Sequence, residues 1–398
     1  MKKLAILGST GSIGTNSLLI IQNNPKSFKV VALSADKNVK KMVQQCEIFT
    51  PQWASLRNRE AAKELKIQLK SRNIKTKVLS GDQAVCELVS LESVDYIILA
   101  ISGSSGLIPI LHAIQSKKII LLANKESLII GNHLLMKEVK ANNTILIPID
   151  SEHNAMFQSF PLNIQKKMHS ANLRELGIKS IVLTGSGGPL LKIPLHKFKN
   201  ITPCQACAHP NWIMGKKISV DSATMMNKGL EYIETHLLFN THDIDIELVI
   251  HPESVIHSMI RYYNGSIIAN LSINDIRISI FYALFWPNNA VSNLPHLDFF
   301  KLKKLSFENL NLKKYPCLSL ALNAFHSGHA AIIILNAANE IAVFEFLRLK
   351  IKFTDIYKVI ESVLSILSCS NPIMLEEILE IDKLARIKTK EVISKITK

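Results

Sequence analysis

The first 150 residues alternate short, apolar, β-branched runs with longer segments of helical periodicity, and this alternation limits the fold more than any other feature. Strands that alternate with helices form a parallel sheet, because the crossover helices pack on both of its faces. The sequence therefore predicts an α/β fold with a Rossmann-like parallel sheet in its amino-terminal part. The predicted strands are five apolar runs, at residues 3–7, 29–33, 94–101, 118–122 and 144–149.

The rest of the chain predicts two further kinds of structure. Residues 1–150 are expected to form the Rossmann-like domain, and residues 151–290 mix strand and helix patterns, as in an α+β catalytic domain. Residues 291–311 carry Asn, Pro and Lys between apolar residues and are predicted to be a linker. Residues 312–398 have helical periodicity and predict a C-terminal helical bundle.

The chain is basic, with 47 Lys and Arg residues against 32 Asp and Glu residues and a net charge of +15. Such a charge favours anionic partners, including phosphates, nucleic acids and membrane surfaces. The basic residues are spread along the chain, however, and aromatic residues make up only 6% of it. We therefore expect neither nucleic acid nor membrane as a partner, with a basic nucleic-acid-binding protein as the alternative outside the enzymes.

The cysteine content indicates the cellular compartment. Six cysteines in a chain of this length do not form a disulfide framework and are expected to be reduced thiols. Cys204 and Cys207 have the spacing of a redox or half-zinc motif, but no second pair completes a tetrahedral site. The N-terminal apolar run is too short for a secretory signal, and no apolar stretch reaches the roughly 18 residues that span a bilayer. We expect a cytoplasmic protein.

A glycine-rich turn follows the first predicted strand and precedes a helical segment. Gly8, Gly11 and Gly14 have the spacing G-x-x-G-x-x-G, which lets the backbone turn tightly and approach a pyrophosphate at a helix N-terminus. Thr10 and Ser12 add hydroxyl donors. A glycine pattern alone is weak, but at the first strand-helix turn it favours a dinucleotide site over an ordinary turn.

Two carboxylates follow the last predicted strand of the sheet. In an extended segment alternate side chains share a face, so Asp150 and Glu152 are predicted to converge beyond the end of this strand. Carboxylates this close repel each other unless a cation or proton lies between them, and their oxygens suit Mg²⁺ or Mn²⁺. The alternative is a solvated loop in which Asp150 or Ser151 caps a helix.

A second glycine-rich turn, at residues 184–189, again follows a strand. It offers a backbone nest and the Ser186 hydroxyl, which together suit a phosphate. Taken alone, the segment is equally consistent with a plain glycine turn.

A helix predicted from Ser222 to Phe239 would carry Asn227, Lys228 and Glu231 on one face, because these residues are three and four positions apart. This face suits a phosphate at Lys228 and a third metal carboxylate at Glu231. The alternative is a surface Lys–Glu pair that contributes little to stability.

A loop that begins at His209 places Trp212 and Met214 between a proline and a glycine. Such a segment suits a flap that covers a ligand and excludes water, whereas a loop anchored by a buried Trp212 is the alternative. His251 and His257, further along the chain, are equally consistent with buried structural histidines.

Together these motifs resemble the 1-deoxy-D-xylulose 5-phosphate reductoisomerase family over essentially the whole chain. The run at residues 217–231 is the most specific part of the resemblance. The segments that carry it are residues 8–14, 123–127, 150–154, 184–189, 209–212, 217–231, 251–257 and 335–341.

The resemblance implies the second step of the non-mevalonate isoprenoid pathway, with NADPH and a divalent cation (Mg²⁺, Mn²⁺ or Co²⁺) as cofactors. In that family the substrate rearranges, by retro-aldol cleavage and re-addition, to an aldehyde that is reduced to 2-C-methyl-D-erythritol 4-phosphate. A homodimer is also implied. Another metal-dependent NAD(P) dehydrogenase is the nearest alternative, although the run at residues 217–231 argues against it.

The resemblance also implies roles for individual residues. The implied metal ligands are Asp150, Glu152 and Glu231, which with Lys125 and His209 form the catalytic set. The implied phosphate ligands are Ser186, Ser222, Asn227 and Lys228. The other implied substrate contacts are Lys125, Ser151, Glu152, His209, Trp212, Met214, Glu231, Ser254 and His257. The implied cofactor residues are Gly8, Thr10, Gly11, Ser12, Ile13, Gly14, Asp36, Lys37, Asn38, Asn124, Glu126 and Gly215.

Several positions depart from the family pattern. Leu190 and Leu191 stand where an aromatic and a basic residue are usual, Ala208 replaces a basic residue, and residues 272–274 lack the common Gly and Pro. None of these positions carries an implied metal or phosphate ligand. We expect these departures to affect the flap rather than to abolish activity.

The fourth departure, Asp36, concerns the cofactor, because the family usually has Gly there. An acidic residue at this place in a Rossmann fold accepts hydrogen bonds from the ribose 2′-hydroxyl of NAD and repels the 2′-phosphate of NADP. Lys37 and Asn38 favour the phosphate. We expect NADPH to remain preferred, by a narrower margin than with Gly at position 36.

Overall fold

The computed structural model describes residues 1–241 and 244–397, and the chain divides into two compact units. The first unit comprises Met1–Ser127, Lys137–Lys167 and Asp275–Pro295. The second unit comprises Leu128–Met136, Met168–Asn274 and His296–Lys398. The chain therefore leaves the first unit and later returns to it. The division into three domains and a linker stays a prediction.

Seven strands form the sheet of the first unit: β1 (Lys2–Leu7), β2 (Phe28–Ala35), β3 (Trp53–Leu56), β4 (Lys77–Ser80), β5 (Tyr96–Leu99), β6 (Ile119–Leu122) and β7 (Leu146–Pro148). Their order is β4-β3-β2-β1-β5-β6-β7, and every pairing is parallel. The predicted parallel sheet is confirmed. Because the order reverses beside β1, the carboxyl ends of β1 and β5 flank the crevice in which doubly wound sheets bind ligands.

The sequence prediction missed β3 and β4. Each has only four residues, and β4 is an edge strand whose residues are half-buried or exposed. Unlike the equally short β5 and β6, neither strand is a continuous apolar run, because β3 contains Ser55 and β4 begins with Lys77 and ends with Ser80.

Helices connect these strands and cover the sheet. Those in the first 167 residues are α1 (Ser12–Gln22), α2 (Val39–Phe49), α3 (Arg59–Ser71), α4 (Asp82–Val89), α5 (Leu107–Gln115), α6 (Lys125–Asn142), α7 (Ser151–Gln158) and α8 (Leu162–Gln165), with a 3₁₀ turn at Gly103–Gly106. Within α6 the backbone departs from helical geometry at Asn132, where φ is 41°.

The second unit contains a four-stranded sheet: β8 (Ile178–Gly185), β9 (Asp245–Ile250), β10 (Ile256–Tyr262) and β11 (Ile267–Leu271). The order is β11-β10-β8-β9, with β8 and β9 parallel and the other pairs antiparallel. A mixed sheet with separate helices is an α+β arrangement, as predicted. The 3₁₀ turns beside it are Met168–Ser170 and Leu195–Asn200.

The remaining helices are α9 (Pro203–Cys207), α10 (Lys216–Thr224), α11 (Met226–Phe239), α12 (Ile276–Phe285, in the first unit), α13 (Phe299–Leu302), α14 (Pro316–Ser327), α15 (His329–Leu347), α16 (Phe353–Ile366) and α17 (Leu375–Ile396). The predicted C-terminal helical region is therefore confirmed. Within the predicted linker, Glu308 pairs with Ile250 through backbone hydrogen bonds of 2.9 and 3.1 Å.

The single helix predicted from Ser222 to Phe239 is wrong in its first part. Met225 adopts the left-handed conformation, with φ of 59°, and separates α10 from α11. A residue in this conformation ends a helix, because the backbone can no longer continue the i to i−4 hydrogen-bond ladder. Ser222 therefore lies in a different helix from Asn227, Lys228 and Glu231.

Helix α15 is the one described helix that is long and apolar enough to cross a membrane by length and composition. Its most apolar window is 67% buried inside the chain. Such burial is typical of a core helix in a helical bundle.

The glycine turn after β1 brings α1 unusually close to the strand. A Cβ atom on Gly14 would lie 2.5 Å from both the Gly8 oxygen and the Ser9 Cα atom. Gly8 itself has φ of 83°, and a Cβ there would lie 2.3 Å from the Ala100 oxygen. These contacts involve backbone atoms, so a side chain requires the helix to move away from the sheet.

We predict that Gly14→Ala lowers the free energy of unfolding by about 1–3 kcal/mol, the usual cost of overpacking a core. Thermal melting measured by circular dichroism checks this. Gly11→Ala is the matched control, because a Cβ on Gly11 would meet only the Gly8 oxygen, at 3.3 Å. Equal melting temperatures for wild type and Gly14→Ala would show that the helix is not held against the strand here.

Candidate active site

The glycine turn of the first unit leads directly into the N-terminus of α1. Gly11 is the residue before this helix, and no side chain of the described residues caps the helix end. The first backbone N–H groups of a helix have no partner within it. Those of Ser12, Ile13 and Gly14 can therefore meet an anion, which the helix dipole also favours.

Contacts from the neighbouring β-α segment hold this turn in place. The backbone N–H groups of Gly8 and Ser9 donate to the Ser34 oxygen at 2.8 and 2.9 Å. The buried Gln45 amide forms hydrogen bonds with both the Ser9 hydroxyl (2.7 Å) and the Ser9 carbonyl oxygen (2.9 Å). Lys41 donates to the Thr10 oxygen at 2.9 Å. The turn is therefore preorganised by the segment from β2 to α2.

Asp36, Lys37 and Asn38 follow β2 directly, and all three are exposed. Asn38 caps α2 by accepting a hydrogen bond from the Lys41 N–H at 3.1 Å. Asp36 pairs with Arg57, whose Nε lies 2.9 Å from Oδ1 of the aspartate. The sequence prediction did not include Arg57, because 21 residues and a helix separate the pair.

Asn124, Lys125 and Glu126 lie where β6 ends and α6 begins. Asn124 caps this helix, accepting from the Ser127 N–H at 2.8 Å and donating to the Gly103 oxygen at 2.9 Å. Lys125 is 5% exposed, and its ammonium group pairs with the Asp150 carboxylate. Glu126, in the first turn of the helix, is half-buried.

The prediction that Asp150 and Glu152 alternate along an extended segment is wrong. Ser151 is the first residue of α7, so Asp150 is the residue before the helix and Glu152 lies in its first turn. The Asp150 carbonyl accepts the first helical hydrogen bond, from Asn154, at 2.8 Å. The Asn154 side chain also donates to the Pro148 oxygen at 2.7 Å. This hydrogen bond stabilises the turn between β7 and α7, and the chain becomes helical directly after Asp150.

The second glycine turn follows β8 and has positive φ at Gly187 (78°) and Gly188 (69°). The Ser186 hydroxyl accepts from the Gly188 N–H at 3.0 Å. Close packing surrounds the turn, because a Cβ on Gly188 would lie 2.5 Å from the Ser222 oxygen. A Cβ on Gly185 would lie 3.1 Å from Cε of Lys228. The structure therefore brings Ser186, Ser222 and Lys228 together.

Polar contacts at both ring nitrogens orient His209. Its Nδ1 accepts from the backbone N–H groups of Asn211 (3.2 Å) and Trp212 (3.0 Å). The proton therefore resides on Nε2, which donates to the Ser186 hydroxyl at 2.9 Å. The histidine connects the beginning of the candidate flap to the glycine turn.

Asn227, Lys228 and Glu231 share one face of α11, as predicted. The Asn227 amide donates to one carboxylate oxygen of Glu231, and the Lys228 ammonium pairs with the other. Lys228 is 4% exposed and Glu231 is 1% exposed. The alternative of a solvated surface pair is therefore wrong, and these charges are buried together.

The candidate flap, residues 209–215, is partly buried and partly exposed to solvent. Trp212 is half-buried and its ring lies 6.1 Å from the His257 ring, whereas Ile213 is fully exposed. Asn211 donates to the Pro252 oxygen at 2.7 Å and to the Ser254 hydroxyl at 3.1 Å.

The other predicted residues are Met214 and Gly215 in the same loop and the histidines further along the chain. Met214 is half-buried, and Gly215 precedes α10. His257 is 6% exposed, and its Nε2 lies 2.7 Å from the Ser272 hydroxyl. His251 is fully buried, and its Nδ1 lies 2.8 Å from the Ser306 oxygen. His251 is therefore a structural histidine of the second unit.

The structure also adds residues that the sequence pattern did not single out. The Tyr315 hydroxyl donates to the Gly187 oxygen at 3.0 Å and supports the second glycine turn. Asp221, 1% exposed, pairs with Lys217 at 2.8 Å and accepts from Asn339 at 2.9 Å. The contacts of Tyr315 with Gly187 and of Asn339 with Asp221 are long-range, so no local motif signals them, whereas Lys217 and Asp221 are four residues apart in α10.

Cys204 and Cys207, which have the spacing of a redox or half-zinc motif, are not joined by a disulfide. Both are free thiols within the short helix α9. Burial raises the pKa of the Cys207 thiol above its ordinary value, which disfavours the reactive thiolate.

Family models match three segments that together cover most of the chain. The description "1-deoxy-D-xylulose 5-phosphate reductoisomerase" matches residues 4–132. The C-terminal domain of 1-deoxy-D-xylulose 5-phosphate reductoisomerase matches residues 146–239, and a further DXP reductoisomerase C-terminal domain matches residues 271–388.

Relatives and solved structures agree with these matches. The chain is 51% identical to 1-deoxy-D-xylulose 5-phosphate reductoisomerase of Buchnera aphidicola subsp. Acyrthosiphon pisum (strain APS), with both chains covered completely. The enzyme of Proteus mirabilis (strain HI4320) is 50% identical over the same extent. A crystal structure of DOX-P reductoisomerase with NADPH, fosmidomycin and magnesium is 39% identical, with a TM-score of 0.94 over 99% of this chain and 98% of that chain. The Zymomonas mobilis enzyme in complex with NADPH is 37% identical, with a TM-score of 0.88 over 98% and 99%.

Full-length relatives are about 50% identical to this chain. The chain also has the parallel sheet with its glycine turn, the second sheet and the helical C-terminal region. The chain therefore belongs to the 1-deoxy-D-xylulose 5-phosphate reductoisomerase family.

Proposed function

We propose that the chain converts 1-deoxy-D-xylulose 5-phosphate to 2-C-methyl-D-erythritol 4-phosphate in a metal-dependent, NADPH-linked reaction of the non-mevalonate isoprenoid pathway. The observation that carries this proposal is the buried Lys228 ammonium, which lies beside the turn of Ser186 and pairs with Glu231. A nucleic-acid backbone is contacted by exposed lysines along a surface. A buried ammonium instead suits a small anion, such as a sugar phosphate.

The residues of the first unit fit a dinucleotide. The glycine turn offers free N–H groups at the start of α1, and a side chain on Gly8 or Gly14 would occupy the space between the turn and its neighbours. Lys37 and Asn38 lie beyond β2, where the ribose of a dinucleotide is bound in Rossmann folds. These residues would hold NADPH, with Asn124, Glu126 and Gly215 assigned by resemblance.

The donor set Asp150, Glu152 and Glu231 fits a hard divalent cation. Carboxylate oxygens are the ligands that Mg²⁺ and Mn²⁺ prefer. The ammonium groups of Lys125 and Lys228 lie against two of these carboxylates. These ammonium groups offset part of the negative charge of the carboxylates.

When bound, the cation polarises the carbonyl and hydroxyl oxygens of the substrate and NADPH supplies the hydride. The protein positions the substrate. Ser186, Ser222, Asn227 and Lys228 hold its phosphate, through hydroxyl, amide and ammonium donors. Because Lys228 is buried, its charge interacts with the phosphate more strongly than it would in water.

His209 and Lys125 are the proton-bearing groups of the proposed site. His209 holds a proton at Nε2, and its ring is oriented by two backbone N–H groups. Lys125 holds an ammonium against Asp150. Both groups donate hydrogen bonds to substrate oxygens, and Ser151 contributes a hydroxyl.

Trp212 and Met214 cover the bound substrate and exclude water, which protects a reactive aldehyde. Ser254 and His257 position this flap, because Ser254 bonds Asn211 and the His257 ring lies beside Trp212.

A homodimer is proposed for the second unit. Strand β11 is an edge of its sheet, and Ile267 and Ile268 on this strand are 49% and 45% exposed. Apolar edge strands are templates for pairing with another chain. Sedimentation of the intact chain measures this oligomeric state.

We further propose a cytoplasmic location and Mn²⁺ as an alternative to Mg²⁺.

The direct test of the function is NADPH oxidation, followed at 340 nm, with 1-deoxy-D-xylulose 5-phosphate as substrate. We expect turnover that needs added Mg²⁺ or Mn²⁺ and stops with EDTA. Absence of turnover with this substrate, together with reduction of another carbonyl compound, would favour a different metal-dependent dehydrogenase.

We predict that Glu231→Gln reduces turnover by more than the roughly 10–100-fold typical of second-shell changes at metal sites. The amide removes one anionic ligand, so Mn²⁺ binding measured by electron paramagnetic resonance should weaken while NADPH binding is retained. Glu340→Gln is the control, because Glu340 pairs with Arg386 at 2.6 Å on helices that hold no proposed ligand. Unchanged Mn²⁺ affinity in Glu231→Gln would exclude Glu231 from the metal site.

We predict that Trp212→Ala raises the KM for substrate by about tenfold or more, with little change in melting temperature. The ring is half-buried and lies 6.1 Å from the His257 ring. Ile213→Ala is the matched control in the same loop, since Ile213 is fully exposed. A large loss of thermal stability with unchanged kinetics would mean that Trp212 only anchors the loop.

A further inference from the structure

The pair of Asp36 and Arg57 lies at the carboxyl end of two neighbouring strands. Asp36 follows β2 and Arg57 follows β3, which pairs with β2 in parallel. The backbone continues this pairing, because the Arg57 N–H donates to the Ala35 oxygen and the Asn58 N–H to the Asp36 oxygen, both at 3.0 Å. The two side chains are therefore held side by side by the sheet itself.

The glycine turn after β1 lies at this same end of the sheet. Gly8 donates to the oxygen of Ser34, the residue two positions before Asp36. In dinucleotide-binding sheets the residue at the end of the second strand meets the 2′ position of the adenosine ribose. An unpaired aspartate there would repel a 2′-phosphate. In this chain the carboxylate is already engaged by Arg57.

The guanidinium of Arg57 retains capacity for a second anion. Its hydrogen bond to Asp36 uses Nε alone, at 2.9 Å. Among the residues that the structure describes, Nη1 and Nη2 have no hydrogen-bond partner, and the side chain is 55% exposed. The Nη groups of arginine form the bidentate fork that binds phosphate.

We propose that Arg57 is a specificity-determining residue that binds the 2′-phosphate of NADPH, and that Asp36 is a positioning residue that holds its guanidinium. The inference rests on the proposed function, which requires NADPH. It explains how the chain accepts an acidic residue at a position that ordinarily selects NAD. Arg57 compensates the charge of Asp36, and Lys37 supplies a further positive charge.

The test is direct binding, measured by fluorescence titration, of NADPH and NADH and of the fragments adenosine 2′,5′-bisphosphate and AMP. We expect Arg57→Gln to weaken binding of the two 2′-phosphorylated ligands by about tenfold or more, and to leave NADH and AMP unchanged. The melting temperature should not move, because both side chains are more than half exposed.

Arg72→Gln is the matched control. Arg72 pairs with Glu47 at 2.8 Å and has a comparable exposure of 45%, but it lies at the other end of α3 from Arg57, about 20 Å along the helix axis. Arg72→Gln should leave the affinities for all four ligands unchanged. Equal affinities for NADPH in wild type, Arg57→Gln and Arg72→Gln would overturn the proposal, as would an equal loss in both variants.

Asp36→Asn removes the charge of residue 36 but keeps an oxygen that can position the Arg57 guanidinium. The asparagine oxygen still accepts from Nε of Arg57, and the substitution removes a negative charge near the 2′-phosphate. With Arg57 present, NADPH should therefore bind slightly more tightly to Asp36→Asn than to the wild type. In the Arg57→Gln background the unpaired aspartate repels the phosphate, so the same change should restore more affinity. An equal effect in both backgrounds would show that Asp36 does not act through Arg57. A wild-type chain that fails to bind NADPH would instead refute the proposed function.

Discussion

Buried charge is the constraint on which the candidate site depends. Glu231 is almost completely removed from water and the Asp150 side chain is only 13% exposed, and an uncompensated buried charge costs several kcal/mol. Asp150 and Glu231 each have a lysine ammonium beside them; the pairs are Lys125 with Asp150 and Lys228 with Glu231. The same ammonium groups are suited to an anionic substrate, so the compensation that makes burial tolerable also supplies the proposed substrate contacts.

Tight backbone turns place these charges. Both glycine turns follow parallel-paired strands, β1 and β8, and each is held by long-range hydrogen bonds in addition to hydrogen bonds between its own residues. The first is held by Ser34 and Gln45, and the second by Tyr315, with His251 donating from its backbone to the Gly185 oxygen at 2.7 Å. Such turns carry exposed N–H groups and hydroxyls without losing their shape, as preorganised anion sites require.

Much of this arrangement is predictable from sequence, because it depends on local patterns. The glycine spacing after an apolar strand predicted the turn, and the three- and four-residue spacing predicted the shared face of Asn227, Lys228 and Glu231. Prediction failed where tertiary contacts override local preference. The segment of Asp150 became helical, and a left-handed Met225 divided the predicted helix in two.

The sequence by itself determined the fold class, the family and most residues of the candidate site, since periodicity and motif spacing are properties of neighbouring residues. Only the tertiary structure decided which distant residues meet. The order of the strands places Arg57 beside Asp36, and the packing of α14 brings Tyr315 to Gly187, 128 residues away. The pairing of side chains across strands depends on sheet order and register, and no local pattern encodes either.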